Sequence, residues 1–412
     1  MADALARARE IESRLDHFKS SGQGKRKLKH GELIDLYLDN LRRRADAGEL
    51  AAVTVARYTT ALQHYRDYAE RPGVQRAFPF AAGVNRDFQL GFGSYLEQIQ
   101  ISPNGHARGR RRPLRSSQFV LDTTRAVFAW AADPNRGNLL PDGFHNPFLQ
   151  HGDARRRPAR DPFGEPDITV AMAVDFIGEC DGFQLPLFAM LILYGLRAAE
   201  PAFLFREHVD GQWLRIVCMP ELNYFTKGKR DKRFPTVAVI EELQSLNSGG
   251  GEGLLFKRRG VAKTDAGASL FGASLAAVVG EFQRRCASDR LQSAARRKQI
   301  RDEVLAAAGG LNYDHIEGEF TKIARRLGWP PKATLKDFRH LFSTCLENAG
   351  VPEYYRRYLM GQSPGRASIA TYTHLNELKT QFQKALRQDL APLVEALERR
   401  AGELAQGMVV SS

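Results

Sequence analysis

The chain has 412 residues, 43% of them hydrophobic, and 60 Lys and Arg against 47 Asp and Glu give a formal net charge of +13. That length points to about two to three domains with real cores, and that charge to a polyanionic partner, nucleic acid first and an acidic membrane surface second. The four cysteines, Cys180, Cys218, Cys286 and Cys345, form no CxxC pair and have no histidine at metal-ligand spacing, which argues against a disulfide framework or a zinc site and suits a reducing compartment.

Residues 1–30 read as a short charged helix over 2–17 and a basic hinge carrying Lys25, Arg26 and Lys27. The hinge is either a solvated linker or a phosphate contact. The opening residues mix acids and bases and have no signal-peptide core.

Residues 31–150 read as a small all-helical domain. Leu33, Tyr37 and Leu41 recur at helical spacing, and Thr54 is placed to cap a second helix with the stripe Val55, Tyr58, Leu62, Tyr65. Asn85 is placed to cap a third, carrying Phe88, Phe92, Tyr95 and Leu96. Ser116 or Ser117 is placed to cap a fourth, carrying Val120, Val127, Phe128 and Trp130. Aromatics that follow the helical period belong to a core rather than to base stacking. Between the third and fourth helices lies a Gly- and Pro-marked loop with Arg108, Arg110, Arg111, Arg112 and Arg115. Arginine grips phosphate oxygens with two parallel donors, so the loop is expected to face DNA, a solvated loop being the alternative. Asn146-Pro147-Phe148 closes the domain, and residues 151–166 form a linker with Arg155, Arg156, Arg157 and Arg160.

A larger domain is expected over 167–400. Residues 168–180 and 184–196 read as buried helices. The apolar run at 185–196 is too short to span a bilayer. Strand character appears at 213–219, 224–226 and 233–240, with Lys227, Gly228 and Lys229 in a hairpin turn. Helices are expected over 270–288, 293–308, 313–327, 334–349, 352–360 and 376–400, followed by a disordered tail at 401–412. The fold class is mainly α with a small antiparallel β-sheet.

Three stretches carry chemistry. Gly195-Leu196-Arg197-Ala-Ala-Glu200 follows a buried helix. Lys336-Asp-Phe-Arg339 opens another, with two cations three residues apart. Gly361-Gln362 is followed ten residues later by Tyr372, in Thr-Tyr-Thr-His. Arginines, polar donors and a tyrosine in this order resemble the catalytic domain of the tyrosine recombinases, the phage-integrase family. Four helices closed by an Asn-Pro turn before a basic linker resemble that family's core-binding domain. The resemblance covers about 33–390.

The resemblance implies a helical core-binding domain and a catalytic domain forming a clamp on double-stranded DNA. It implies a site-specific recombinase or integrase acting as a homotetramer on DNA, and as a monomer or weak oligomer when free, with no cofactor, metal or ATP. Arg197 and Arg339 match the family's two arginines, and Glu200 its acidic position, unless Glu200 is only an i,i+3 ion-pair partner. Lys227 matches the hairpin lysine, with Lys229 a rival or a DNA contact, and Tyr372 matches the nucleophile. Lys336 stands where the family usually has histidine, and Gln362 where it has histidine or tryptophan. Those departures motivate an alternative, a DNA-binding architectural or regulatory homologue with weakened catalysis. The expected location is the cytoplasm of a prokaryote, on the nucleoid when DNA is bound, with no membrane association. The apolar stripe Leu378, Phe382, Leu386, Leu390, Leu393 and Leu397 packs either on its own domain or, the favoured expectation, on a neighbouring protomer.

Overall fold

The computed structural model describes residues 25, 27–102, 111–152, 167–240, 252–260, 269–290, 293–362 and 375–410, with backbone only at 150–152 and 407–410. The chain divides into two compact units, Met1–Arg160 with Arg290–Lys298, and Asp161–Asp289 with Gln299–Ser412. The expected N-terminal helix and the linker arginines 155–157 and 160 lie outside the described residues.

The first unit contains α1 (His30–Asp46), α2 (Ala52–Ala69), a short α3 (Pro72–Ala77), α4 (Arg86–Gln98) and α5 (Ser117–Ala132). Asn85 caps α4 as expected, its side chain accepting from the amides of Asp87 and Phe88 at 3.0 and 3.1 Å. Thr54 does not cap α2. The helix starts three residues earlier, after Ala51, and Thr54 lies inside it. Tyr65, Phe88, Phe92, Phe128 and Phe148 are fully buried and pack on one another, Tyr65 standing edge-on to Phe92 and Phe128 at 5.6 and 5.9 Å. The aromatic stripes are therefore core.

His30 is stacked on Phe88 and buried among them. Its Nε2 bonds the Phe78 carbonyl at 2.9 Å and its Nδ1 bonds the Tyr65 hydroxyl at 2.7 Å. The carbonyl can only accept, so Nε2 is the donor of the first bond, and in the neutral ring Nδ1 accepts from the hydroxyl. Burial lowers its pKa accordingly.

The Asn-Pro turn also has a mechanical role. Asn146 donates to the Arg125 carbonyl at 3.0 Å and accepts from the Phe148 amide at 3.0 Å, which seats Phe148 in the core. A two-residue antiparallel ladder, β1 (Gln100–Ile101) on β2 (Arg112–Pro113), closes the base of the arginine loop. The segment at 290–298 joins this unit through Ala294, whose amide donates to the Asp46 carboxylate at 2.6 Å.

The second unit opens with α6 (Val170–Gly178) and α7 (Gln184–Leu193), both shorter than the sequence suggested; every residue of α7 is buried. Strands β3 (Trp213–Ile216) and β4 (Lys232–Pro235) pair antiparallel. Both are short. Tyr224 only bridges back to Met219, and the chain turns helical by residue 238, so the expected strands at 224–226 and 236–240 do not form. Helices α8 (Leu275–Ser288), α9 (Ala294–Ala307, of which the residues from Gln299 on belong to this unit), α10 (Tyr313–Arg326), α11 (Leu335–Asn348) and α12 (Glu353–Leu359) follow.

The helix expected over 376–400 is two helices, α13 (Leu375–Arg387) and α14 (Ala391–Val410). The amides of Gln388 and Leu390 both turn back to the Ala385 carbonyl, breaking the ladder. Helix α14 runs on to Val410, so the expected disordered tail is helical over 401–410, and 411–412 lie outside the described residues. The apolar stripe is occupied within its own unit: Leu378, Phe382, Leu390, Leu393 and Leu397 are fully buried in the main core, and α14 packs on α6 and α7. The expectation of docking on a neighbour is not met in the chain by itself. Among the described residues, no helix is long and apolar enough to cross a membrane.

Candidate active site

Helix α7 delivers the first arginine. It ends at Leu193, and Gly195 then takes φ +54°, which reverses the chain and releases Arg197 half-buried. A Cβ at Gly195 would come within 2.2 Å of the Phe342 ring, so glycine is required there by both space and φ. Helix α11 delivers the second. Arg339 lies on the stripe of Leu335, Phe342 and Leu346, which stand four, three and seven residues from it, and is therefore carried inward with them to 8% exposure. The Asp337 carboxylate accepts from the Thr334 amide and hydroxyl at 2.7 and 2.8 Å and sets the start of this helix.

The two guanidinium groups meet at the end of α12. Gly361 takes φ +55°, and the amides of Gly361 and Gln362 bond back to Tyr358 and Arg357. This closes α12 and turns the carbonyls of Met360 and Gly361 towards the arginines. Arg339 donates through Nη1 to the Gly195 carbonyl at 2.6 Å and through Nη2 to the Met360 carbonyl. Arg197 donates through Nη2 to Gly361 at 3.2 Å and Met360 at 3.4 Å, and through Nη1 to Glu200 Oε1 at 3.0 Å. Burial and the adjacent Arg197 charge lower the Arg339 pKa to about 10, leaving it charged at neutral pH.

Glu200 joins Arg197 to a residue that sequence reasoning missed. Lys232 donates to Glu200 Oε2 at 2.7 Å and is 1% exposed, the most buried charge of the group. On β4, Lys232 and Phe234 point inward while Arg233 stays exposed. The alternation Lys-x-Phe before Pro235 was the available signal, but the strand was expected to start one residue later, at Arg233. Burial lowers the Lys232 pKa to about 8 despite the Glu200 charge. Burial would raise the Glu200 pKa, but the Lys232 charge and bond, with the Arg197 amide, leave it lowered.

The other expected residues are placed differently. Lys227 and Lys229 are exposed in the turn before β4, Lys229 with φ +53° and its ammonium over the exposed Phe225 ring at 5.4 Å. Lys336 is exposed on the first turn of α11, so it does not share the buried face of Arg339 as the three-residue spacing suggested. Gln362 is exposed directly after the Gly361 turn. Tyr372 lies outside the described residues, as do Arg26, Arg108 and Arg110. Arg111, Arg112, Arg115 and Lys27 are exposed. Lys25 is not a free cation: it donates to the Asn138 side chain at 2.7 Å, with only 11% of its side chain exposed. Among the described residues, no group of three or more His, Cys, Asp or Glu could hold a metal ion.

Charge balance defines what this arrangement can do. Three cations surround one carboxylate, and the described bonds engage Nη1 and Nη2 of both arginines while leaving each Nε–H without a partner among the described residues. Such a net-positive, preorganised cluster suits an oxyanion with several acceptors, such as a phosphodiester.

No protein-family model matches the chain, and no curated protein matches it. Solved structures do. The lambda integrase dimer bound to a COC' core site aligns with 86% of this chain and 78% of its own, at 11% identity and a TM-score of 0.50. The Tn1549 transposon integrase in complex with transposon right end DNA aligns with 85% of this chain and 98% of its own, at 14% identity and a TM-score of 0.50. The chain has the tyrosine recombinase fold.

Proposed function

We propose that this protein is a site-specific DNA recombinase or integrase that cuts and rejoins strands through a 3′-phosphotyrosyl intermediate. The observation behind this reading is the meeting of Arg197 and Arg339 at the Met360–Gly361 carbonyls, next to Glu200. An anionic phosphodiester resists nucleophiles because charge builds on its non-bridging oxygens. Two permanently charged, fork-shaped groups held by protein carbonyls before substrate arrives offset that charge without reorganisation.

In this mechanism the Tyr372 phenol loses its proton to solvent water, its oxygen attacks phosphorus and the bond to the 5′ oxygen breaks. Lys227, exposed on its turn, gives the leaving oxygen a proton. The arginines lower the phenol's cost of ionisation from its ordinary pKa near ~10. A 5′ hydroxyl of a partner strand then attacks the phosphotyrosine and restores a phosphodiester, so the bond energy is conserved and neither metal nor ATP enters. Lys336 and Gln362 donate hydrogen bonds at the phosphate. Arg111, Arg112 and Arg115 hold the DNA backbone. The integrases of like fold were solved on DNA, as a dimer on a core site in one case, which supports duplex DNA as the partner here. A homotetramer joining two duplexes and a cytoplasmic, nucleoid-bound location complete the reading.

The test is covalent capture. The protein is incubated with a pool of random-sequence duplexes carrying nicks, and denaturant-stable protein–DNA adducts are recovered and sequenced. An enriched common sequence joined to protein supports the reading. Tight binding with no adduct would favour the alternative, an architectural or regulatory homologue.

A further inference from the structure

We propose that Lys232 is a positioning residue for Arg197, acting through Glu200 to hold the guanidinium at the angle that phosphate binding needs. This rests on the phosphodiester reading above. The two oxygens of Glu200 are divided between two tasks. Oε1 accepts from Arg197 Nη1 at 3.0 Å, while Oε2 accepts from Lys232 at 2.7 Å and from the Arg197 amide at 2.9 Å. Fixing Oε2 fixes the plane of the carboxylate, and hence the direction of the oxygen that receives the guanidinium.

Lys232 is suited to this by its place in the fold. It lies on β4, whose pairing with β3 sets it opposite Ile216 and makes its inward direction a property of the sheet. The Arg233 amide donates to the Tyr358 hydroxyl at 3.2 Å, tying the same strand to α12, which supplies the Met360 and Gly361 carbonyls. One strand thus aligns both supports of Arg197, the carboxylate and the carbonyls. Lys232 also passes beneath Gly361, its Cδ 3.6 Å from where a Cβ there would stand. It lies too deep to touch substrate, and that separates it from Lys227. A residue that only neutralised Glu200 would need no such alignment. The lowered pKa of Lys232 accords with a cation kept in place against the cost of burial and two neighbouring arginines.

The test uses the full chain with Lys232→Met, Lys232→Gln and Lys232→Arg. Two quantities are read: water exchange of the Arg197 Nη1–H by nitrogen-15 NMR without DNA, and single-turnover adduct formation on a duplex captured by the natural protein. In Lys232→Met the Arg197 exchange should quicken and the adduct rate fall by about 100-fold, as for a misplaced reacting group, while duplex affinity stays within about threefold. Lys232→Arg should recover most of the rate. Unchanged Arg197 exchange and rate in Lys232→Met, with only a lower unfolding temperature, would overturn the proposal. If Lys232→Met does not fold, Lys232→Gln, which keeps an uncharged donor, decides on the same two readouts. Failure of both to fold overturns it and makes Lys232 a residue of the fold alone. If the natural protein forms no adduct, the phosphodiester reading fails, while Arg197 exchange still decides whether Lys232 tethers it.

Discussion

Arg197 and Arg339 donate to one carbonyl, that of Met360, although they are distant from each other in sequence. The shared acceptor means that neither arginine can shift without disturbing the other. It also separates the two positions chemically from ordinary surface arginines, which seldom give hydrogen bonds to buried backbone.

Arg339→Lys tests this geometry. A single ammonium on a flexible stem cannot span the Gly195 and Met360 carbonyls with a rigid fork. The expected result is a fall in adduct formation of about 100-fold or more, with duplex affinity within about threefold of the natural protein. Single-turnover kinetics beside a binding titration check it, and an equal loss in both would show that Arg339 serves binding alone.

Gly195→Ala should destabilise the second unit by about 3 kcal/mol, combining the left-handed φ with a clash on Phe342. Denaturant unfolding measures it. Phe342→Leu added to Gly195→Ala should recover only the part owed to the clash.

Much of this site was legible in the chain, and the reasons for the remainder are physical. Arg197 could be placed because a buried helix and a glycine precede it, and Arg339 because it lies on an apolar period. Lys232 was hidden because a lysine at the start of a short strand looks like part of a basic turn, and its burial depends on Glu200, which is distant in sequence. The break after α13 was hidden because the apolar spacing continues across it from Leu386 to Leu390, and only backbone bonds mark the turn. The destination of the C-terminal stripe could not be read at all, since periodicity says that a face is covered but not by what.

That destination yields a prediction. Phe382 packs on Tyr194, Phe234 and Phe342 at 5.8, 6.3 and 6.4 Å, beside both arginine-bearing elements. Phe382→Ala should cost about 3–5 kcal/mol of stability. Truncation after Asn376 should unfold the second unit rather than merely prevent assembly, as circular dichroism and a thermal melt would reveal. A truncated chain that keeps a cooperative melt would contradict the packing described above.

For the arginine loop, the expectation concerns salt. Each phosphate neutralised releases about 0.9 counterions, so replacing Arg111, Arg112 and Arg115 with Gln should reduce the log–log slope of affinity against salt by up to about 2.7. An unchanged slope would place these exposed arginines away from the duplex.

The central claim is a covalent bond from Tyr372 to DNA, and peptide mapping of the captured adduct by mass spectrometry tests it most directly. The account predicts a nucleotide-bearing peptide that includes Tyr372, linked through a 3′ phosphate, and no adduct from Tyr372→Phe although that variant still binds duplex. An adduct mapped to Tyr354, Tyr355 or Tyr358, or one that persists in Tyr372→Phe, would contradict it.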